Sequence, residues 1–356
     1  MGLAPPQAGR MNDTGGEFSM AAIDFSDTTS LARDDAAGSP LGRAAMAALA
    51  APSILNTQPW RWRIHHGAAE LWADRGRQLH SLDPDGRLLI LSCGIALHHA
   101  TVALAAAGHR ADIGRLPDPS RPDLLAVVRA DSRRPATPTD MRAYQSMLIR
   151  HTDRRAATGP ERVPSAQLGA LRDAVEEHGI HLHLLHDDQV YELIRAAYHA
   201  AEIEAHDPGF RDEIASWTHR APGRGDGVPV DTVVPATPRR VPARAFVPDS
   251  DAALAAGSGT DKSATYAILF TDVDTPAGWL AAGEALSELM ITATQHAINV
   301  NPMSDVAEVT QTRSILYHLL ANLGHPMLAL RLTINEHATP IPATPRREPA
   351  ETITDD

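Results

Sequence analysis

The stretch Pro52-Ser-Ile-Leu-Asn-Thr-Gln-Pro-Trp60 is the part of this chain from which fold and function are best argued. Its two prolines, Pro52 and Pro59, fix φ and push the preceding residues toward extended conformations, so the stretch is predicted to be a stiff, non-helical turn. Such a turn suits a planar polar ligand. A capped helix start with a buried tryptophan is the alternative interpretation. The turn carries four side chains that can form hydrogen bonds: Ser53, Asn56, Thr57 and Gln58.

The composition of the 356-residue chain predicts a globular protein with room for two domains or one duplicated core. Hydrophobic residues make up 43% of the chain, which is too much for a protein that is disordered throughout. The formal net charge of -12 argues against nucleic acid and against an anionic membrane as partners. Lys262 is the only lysine among 32 basic residues, so an anion site would have to be built from arginine.

The cysteine and histidine content predicts no metal site. Cys93 is the single cysteine, which excludes an intramolecular disulfide, and its apolar neighbours indicate a buried side chain rather than a nucleophile. His181, His183 and His186 have metal-like spacing, but accidental clusters are expected in a chain with 18 histidines. We find no charged-then-apolar leader and no uninterrupted apolar stretch near the ~20 residues of a membrane span. The sequence therefore predicts a cytoplasmic protein.

The pattern of apolar residues predicts mixed secondary structure. Residues 1–20, rich in glycine, proline and small polar types, are predicted to be a disordered extension. Helices are predicted at 43–51, 88–108, 165–179, 190–204 and 279–298, and a further helix is predicted to end near Arg150. Strands are predicted at 61–64, 69–73, 124–129, 181–185, 266–271 and 327–334. Residues 223–248 follow neither period and are too long for a routine connection, which is typical of a lid or a disordered segment.

An internal repeat relates two of the predicted helices. Gly94-Ile-Ala-Leu-His-His recurs 189 residues later as Gly283-Glu-Ala-Leu-Ser-Glu. Similar predicted elements surround each copy, so the repeat indicates duplication of a unit that occupies about half the chain. We therefore divide the chain into a first half, residues 21–135, and a second half, residues 136–356.

Two basic segments of the second half are candidates for anion binding. Arg150-His-Thr-Asp-Arg154 places two guanidinium groups and a hydroxyl within one or two helical turns, which suits a phosphate monoester. Pro345-Arg346-Arg347 lies in a proline-rich stretch that holds its arginines stiffly. Taken in isolation, each segment is better interpreted as a solvated basic helix end or tail.

Taken together, these segments resemble the nitroreductase family, and in particular a nitroreductase-like group of actinobacterial FMN-binding proteins, the Acg type. The similarity covers roughly residues 40–350. It implies an α+β fold in which two fused nitroreductase-like halves form an intramolecular pseudo-dimer, with a long lid insertion at about 205–260 in the second half. The motifs that match in order are Asn56-x-Gln-Pro-Trp-Arg-Trp62, Ser92-Cys-Gly94, Trp279-Leu-Ala-Ala-Gly-Glu284 and Ala343-Thr-Pro-Arg-Arg347.

The resemblance also implies one FMN site, shared between the turn of the first half and the basic residues of the second. Arg154 matches the family position that stabilises negative charge on the reduced flavin near N1 and O2. Asp305 stands where glycine is usual in the family, and its acidic side chain is expected to disfavour the anionic reduced ring or to alter the loop. The residues implied to bind FMN are Pro52, Ser53, Asn56, Gln58, Arg150, His151, Thr152, Arg154, Pro302, Met303, Ser304, Arg346 and Arg347.

Two functions are compatible with these features. The first is an FMN-dependent oxidoreductase that passes electrons from NAD(P)H through FMN to a small aromatic acceptor of nitro or quinone type. The second is a flavin-binding or flavin-storing protein with a lid-covered FMN and little turnover, which Asp305 and the long insertion favour. A chain with an internal pseudo-dimer is compatible with a monomer and with a homodimer.

Overall fold

A computed structural model describes residues 38–218, 220–221, 223–246, 251–256, 258–334 and 341–355. The extension predicted at residues 1–20 lies outside them. The described helices are α1 (Pro40–Ala48), α2 (Arg87–Ala106), α3 (Pro138–Ile149), α4 (Ser165–Glu176), α5 (Val190–His206), α6 (Pro208–Thr218), α7 (Pro276–Gln295), α8 (Asp305–Glu308), α9 (Thr310–Leu319) and α10 (Pro349–Thr352). The described strands are β1 (Trp60–His65), β2 (Ala68–Ala73), β3 (His109–Arg115), β4 (Leu124–Arg133), β5 (His181–Leu184), β6 (Thr265–Thr271), β7 (Ile298–Met303), β8 (His325–Ile334) and β9 (Ile353–Asp355).

The strands form two sheets, so the predicted α+β class is confirmed. The first sheet has the order β3-β4-β2-β1-β9 and the second the order β5-β6-β8-β7. Neighbours pair antiparallel except β9, which pairs parallel with β1. Read from its other edge, the second sheet has the order β7-β8-β6-β5. This matches β3-β4-β2-β1 of the first sheet, with each strand replaced by the one four places later in the chain. Helix α1 precedes β1 and β2 and the 20-residue helix α2 follows them, while α4 precedes β5 and β6 and the 20-residue helix α7 follows them.

The two long helices cross where the sequence repeat falls. A Cβ built on Gly94 of α2 would lie 2.2 Å from the carbonyl oxygen of Leu280, and one built on Gly283 of α7 would lie 2.0 Å from that of Leu91. Each glycine therefore faces the other helix's backbone, which no other residue type would permit without displacement. The main hydrophobic core of the described residues surrounds this crossing and takes side chains from both sheets.

Helix α2 passes a length and composition test for a membrane span, with a mean hydropathy of 1.9 and 89% of the tested window buried inside the protein. The expectation that no stretch approaches such a length therefore needs correction. The physical reason for the long apolar run is burial, because α2 packs against α1, α7 and the first sheet and has almost no free face.

The observed elements differ from the predicted ones at one helix end and in several elements that the sequence pattern did not reveal. Helix α7 ends at Gln295 rather than at 298 because Ala297 adopts a φ of +54°, after which Ile298 begins β7. Strands β3 and β7 and helices α6, α8, α9 and α10 had not been predicted. The C-terminal residues were predicted to be a tail, yet β9 returns to the first sheet and anchors the segment 341–355.

Candidate functional site

A cavity lies among segments that are far apart in the sequence. Its walls come from α2, α7 and the end of β7, together with the 52–56 turn, the loop after α3, the insertion between β5 and β6 and the C-terminal segment. Among the predicted site residues, those that line it are Pro52, Ser53, Asn56, Arg150, Thr152, Arg154, Pro302, Met303, Ser304 and Arg346. Segments far apart in sequence, around residues 52, 150 and 346, are thus brought together by the fold.

The 52–60 turn is a single 3-10 turn followed directly by β1, with Trp60 fully buried. Its sharpness comes from left-handed backbone at Leu55, Asn56 and Gln58, with φ of 44°, 53° and 48°. The Ser53 hydroxyl stabilises this shape by accepting a hydrogen bond of 2.8 Å from the Gln58 amide. The alternative of a capped helix start is therefore replaced by a tight, buried turn that presents residues 52–56 to the cavity.

The buried amides of the turn fasten it to distant segments. The Asn56 side chain donates to the carbonyl oxygens of Gly227, in the insertion, at 3.0 Å and of Pro345 at 3.1 Å. The Gln58 side chain accepts from the Arg347 amide at 2.9 Å, and the Arg347 guanidinium donates to the Gln58 carbonyl at 3.1 Å. Gln58 and Arg347 do not line the cavity. In the structure they hold the turn against the C-terminal segment.

The loop that carries Arg150, Thr152 and Arg154 is held by the second sheet. Asn299 of β7 accepts from the Asp153 amide at 3.2 Å and donates to the Asp153 carbonyl at 2.9 Å. Arg331 of β8 donates to the same carbonyl at 2.9 Å. These bonds fix the backbone between the two cavity arginines. His151 is exposed and lies outside the cavity.

Three half-buried guanidinium groups, those of Arg150, Arg154 and Arg346, give the cavity its positive charge. Within the described residues, none of them forms an ion pair with a carboxylate. Burial and the neighbouring Arg346 lower the pKa of Arg150 to about 9, and burial lowers the pKa of Arg154 and of Arg346 to about 10. The Nε atoms of Arg150 and Arg346 are buried without a partner. An anion in the cavity would relieve this uncompensated charge.

The opposite wall of the cavity carries an acidic group around Arg244. Arg244 contacts Glu308 at 3.0 Å and Glu204 at 3.3 Å, and both it and Asp305 line the cavity. Burial raises the pKa of the Asp305 carboxyl, Glu308 adds to the rise and Arg244 opposes it. The environment of Asp305 therefore disfavours its charged form relative to an exposed aspartate.

The insertion between β5 and β6 supplies cavity residues that sequence reasoning missed. The Phe246 ring lies under the Arg154 guanidinium, whose carbon is 4.9 Å from the ring centroid. Arg154 also donates weakly to the Thr232 carbonyl at 3.4 Å. The aperiodic run at 223–248 signalled a special segment but not which side chains it would contribute. The insertion residues that line the cavity are Val233, Val234, Ala243, Arg244 and Phe246.

The remaining walls are apolar, with side chains of Leu88, Leu91, Ile95, Leu286, Met290 and Leu328. An apolar slot with arginines at one end fits a planar ring system that carries an anionic tail. The donor set and the unpartnered guanidinium atoms are thus compatible with a flavin mononucleotide.

Comparison with known proteins identifies the family. No family model matches the sequence. The chain is 34% identical over 313 residues to a Mycobacterium tuberculosis protein named "Putative NAD(P)H nitroreductase Rv3131", an alignment that covers 86% of this chain and 88% of that protein. The chain belongs to the nitroreductase-like family. This confirms the resemblance seen in the sequence motifs.

Two further relatives of this nitroreductase-like protein come from Mycobacterium tuberculosis. One, named "Putative NAD(P)H nitroreductase acg", is 30% identical over 302 residues, or 83% of this chain and 90% of that protein. The other, named "Uncharacterized protein Rv3127", is 30% identical over 318 residues, or 88% of this chain and 92% of that protein. The names of the two relatives called putative NAD(P)H nitroreductases, Rv3131 and acg, support an oxidoreductase of nitroreductase type.

Proposed function

We propose that the chain is an FMN-dependent oxidoreductase of nitroreductase type that holds one FMN in the cavity described above. The observation that carries the proposal is the set of three cavity arginines without a carboxylate partner among the described residues, beside an apolar slot. FMN, when bound, accepts a hydride from NAD(P)H and delivers electrons to a small aromatic acceptor of nitro or quinone type.

The residues divide the work of binding. Arg150, Thr152 and Arg346 lie together at the charged end, where two guanidinium groups and a hydroxyl suit a phosphate. Arg154 is expected to face the ring, because Phe246 and the Thr232 carbonyl hold it apart from that pair. The apolar side chains of α2 and α7 exclude water from the slot.

We further propose that the two halves, residues 21–135 and 136–356, are fused nitroreductase-like units that form an intramolecular pseudo-dimer. The repeated strand order and the paired glycines of α2 and α7 support this division. The segment at about 205–260 would act as the lid, since Val233, Arg244 and Phe246 line the cavity. Such a chain needs no partner subunit to complete the site, so it would work as a monomer or a homodimer, and we place it in the cytoplasm.

A second function, flavin binding or storage with little turnover, is favoured by a different observation. The insertion reaches the cavity from outside the two sheets, and its Phe246 and Arg244 would cover part of a bound ring. A cover that stays closed would keep NAD(P)H and the acceptor away from the flavin.

Anaerobic mixing separates the two functions. The chain loaded with FMN is mixed with NADH or with NADPH, and the yellow flavin absorbance is followed; free FMN at the same concentration is the control. Bleaching within seconds, faster than for free FMN, supports the oxidoreductase. Colour that persists with both nicotinamides but disappears with dithionite supports storage. A chain that retains no FMN on gel filtration would contradict both.

A further inference from the structure

A second polar cluster lies outside the cavity, at the crossing of the long helices. His98 projects from α2, Glu288 from α7, and His178 follows α4. One ligand atom from each of the three lies within 4.8 Å of the other two. None of the three lines the cavity, so the proposed flavin site does not account for them.

Two of the ligand atoms lie close to the spacing of ligands that share a metal ion. His98 Nε2 lies 2.9 Å from Glu288 Oε2. Zinc binds histidine nitrogen and carboxylate oxygen at about 2.0–2.2 Å in a tetrahedral arrangement. Two tetrahedral ligands at that distance lie about 3.4 Å apart, so the two atoms would separate by about 0.5 Å to hold one ion. A small rotation of the partly exposed His178 ring would bring the third ligand into range.

Neighbouring hydroxyl groups orient the ligands. His98 Nδ1 lies 2.8 Å from Ser287 Oγ, so its other ring nitrogen, Nε2, points to Glu288. The hydroxyl of Thr292, one turn further along α7, hydrogen-bonds the Glu288 carboxylate. Metal-ligating histidines and carboxylates in proteins are held by second partners of this kind.

Charge and access are also suitable. Two neutral imidazoles and one carboxylate carry a net charge that attracts a divalent cation. The nearby Arg115 does not oppose this, because Glu284 neutralises it in a bidentate ion pair of 2.7 and 2.8 Å. His98 is buried, while the side chain of Glu288 is 30% exposed and leaves a route for an ion from solvent.

We propose that His98, His178 and Glu288 bind a divalent transition-metal ion of the zinc type, with a fourth position left for water. The ion would tie α2, α7 and the end of α4 together. This site is independent of the cavity, and its test needs no flavin.

Titration calorimetry with zinc chloride tests the site on the full, tag-free chain after removal of metal with a chelator. We expect one ion per chain. Replacing a ligand, as in Glu288→Gln or His178→Gln, should weaken binding by more than about 100-fold, since loss of outer partners alone costs 10–100-fold. Cobalt(II) is a second probe, whose visible absorption should appear in the native chain and be lost in both variants.

The matched control is His181→Gln. His181 also contacts a carboxylate, that of Asp272 at 3.0 Å, but belongs to no three-ligand group among the described residues. Its zinc affinity should equal that of the native chain. Circular dichroism verifies that each variant is folded. If one of the two ligand variants is misfolded, the zinc and cobalt measurements on the other ligand variant decide. No binding at micromolar zinc, or equal binding by the native chain and both ligand variants, would overturn the proposal and leave an ion-pair network only.

Discussion

At the residue scale, the anion preference of the cavity depends on guanidinium groups whose charge no carboxylate among the described residues neutralises. Arg346 donates to the Ala50 carbonyl at 3.0 Å and contacts Asn56 at 3.3 Å, so its partners are neutral groups. Among the described residues, the Arg150 guanidinium donates one hydrogen bond, to the Thr152 hydroxyl at 3.4 Å. Two like charges held near each other without a counter-ion are unfavourable, which is the condition that a phosphate would relieve.

Arg346→Ala is expected to discriminate between two flavins. Because the proposal assigns Arg346 to the phosphate, FMN affinity should fall by about 10–100-fold, the equivalent of a charged hydrogen bond. Affinity for riboflavin, which lacks the phosphate, should change by less than about threefold. Fluorescence titration of both flavins measures this. Equal losses for the two ligands would place Arg346 elsewhere.

Arg154→Ala is expected to weaken the binding of both flavins alike. Arg154 is assigned to the ring, so both FMN and riboflavin should lose about 1–3 kcal/mol of binding free energy. The same titration measures it, with Arg195→Ala as the control, because Arg195 is 71% exposed and, among the described residues, its ion-pair partner is Glu192 of the same helix. Unchanged flavin affinity in Arg154→Ala would count against the assignment.

Glu204→Gln is expected to change how stability depends on pH. Burial raises the pKa of Glu204 from 4.5 to about 7, Arg244 opposes the rise and Glu308 reinforces it. The folded chain therefore holds this proton more tightly than the unfolded chain, and its stability falls as pH rises from 4.5 to 7. The variant lacks this loss, so relative to the native chain it should gain about 1–3 kcal/mol between pH 5 and pH 8. Urea unfolding at both pH values measures it; a difference that does not vary with pH would refute the coupling.

Candidate site residues with a characteristic side-chain chemistry or motif could be predicted from the sequence. Arg150, Arg154 and Arg346 were predicted because the family resemblance joins two basic segments, each of which in isolation indicates only a solvated helix end or tail. Phe246 and Arg244 were missed, because an aperiodic insertion gives no register from which to say which side chains turn inward. Gln58 was found by motif, but its hydrogen bonds to Arg347 appear only in the fold.

At the scale of elements, the contact between α2 and α7 leaves no room for a side chain at Gly94 or Gly283. Gly94→Ala should destabilise the protein by about 3 kcal/mol, because the added Cβ would lie 2.2 Å from the Leu280 carbonyl and force the helices apart. Gly169→Ala is the control within α4, where an added Cβ meets nothing within 4 Å; alanine there should stabilise by about 0.5–1 kcal/mol. Urea unfolding measures both. Equal effects of the two substitutions would contradict the close backbone contact.

Elements with a strong apolar period were predictable, and the others were not. Helix α2 was predicted because its sequence is largely apolar, as expected of a helix that is buried on almost every side. Strand β3 was missed because its residues, from His109 to Arg115, are polar or small except Ile113, and none is buried. Strand β9 was missed because pairing between the end of the chain and β1 leaves no local signal.

At the scale of the whole molecule, the repeat explains why one cavity and not two is proposed. His98 contacts Ser287, which lies 189 residues further on, so the paired positions of α2 and α7 meet across the crossing. At the same offset, Ile95 of the cavity wall corresponds to Glu284. Glu284 is buried and forms a bidentate ion pair with Arg115. A second cavity would need an apolar wall at this position, and the charged pair occupies it instead.

The number of FMN molecules bound per chain tests the central proposal most directly, namely that the turn at 52–60 and the arginines of the second half build one flavin cavity within one polypeptide. The chain is freed of cofactor, titrated with FMN and separated from excess by gel filtration, and flavin absorbance is compared with protein concentration. We expect one FMN per chain at saturation. Retention of no FMN, or of two per chain, would contradict the proposal.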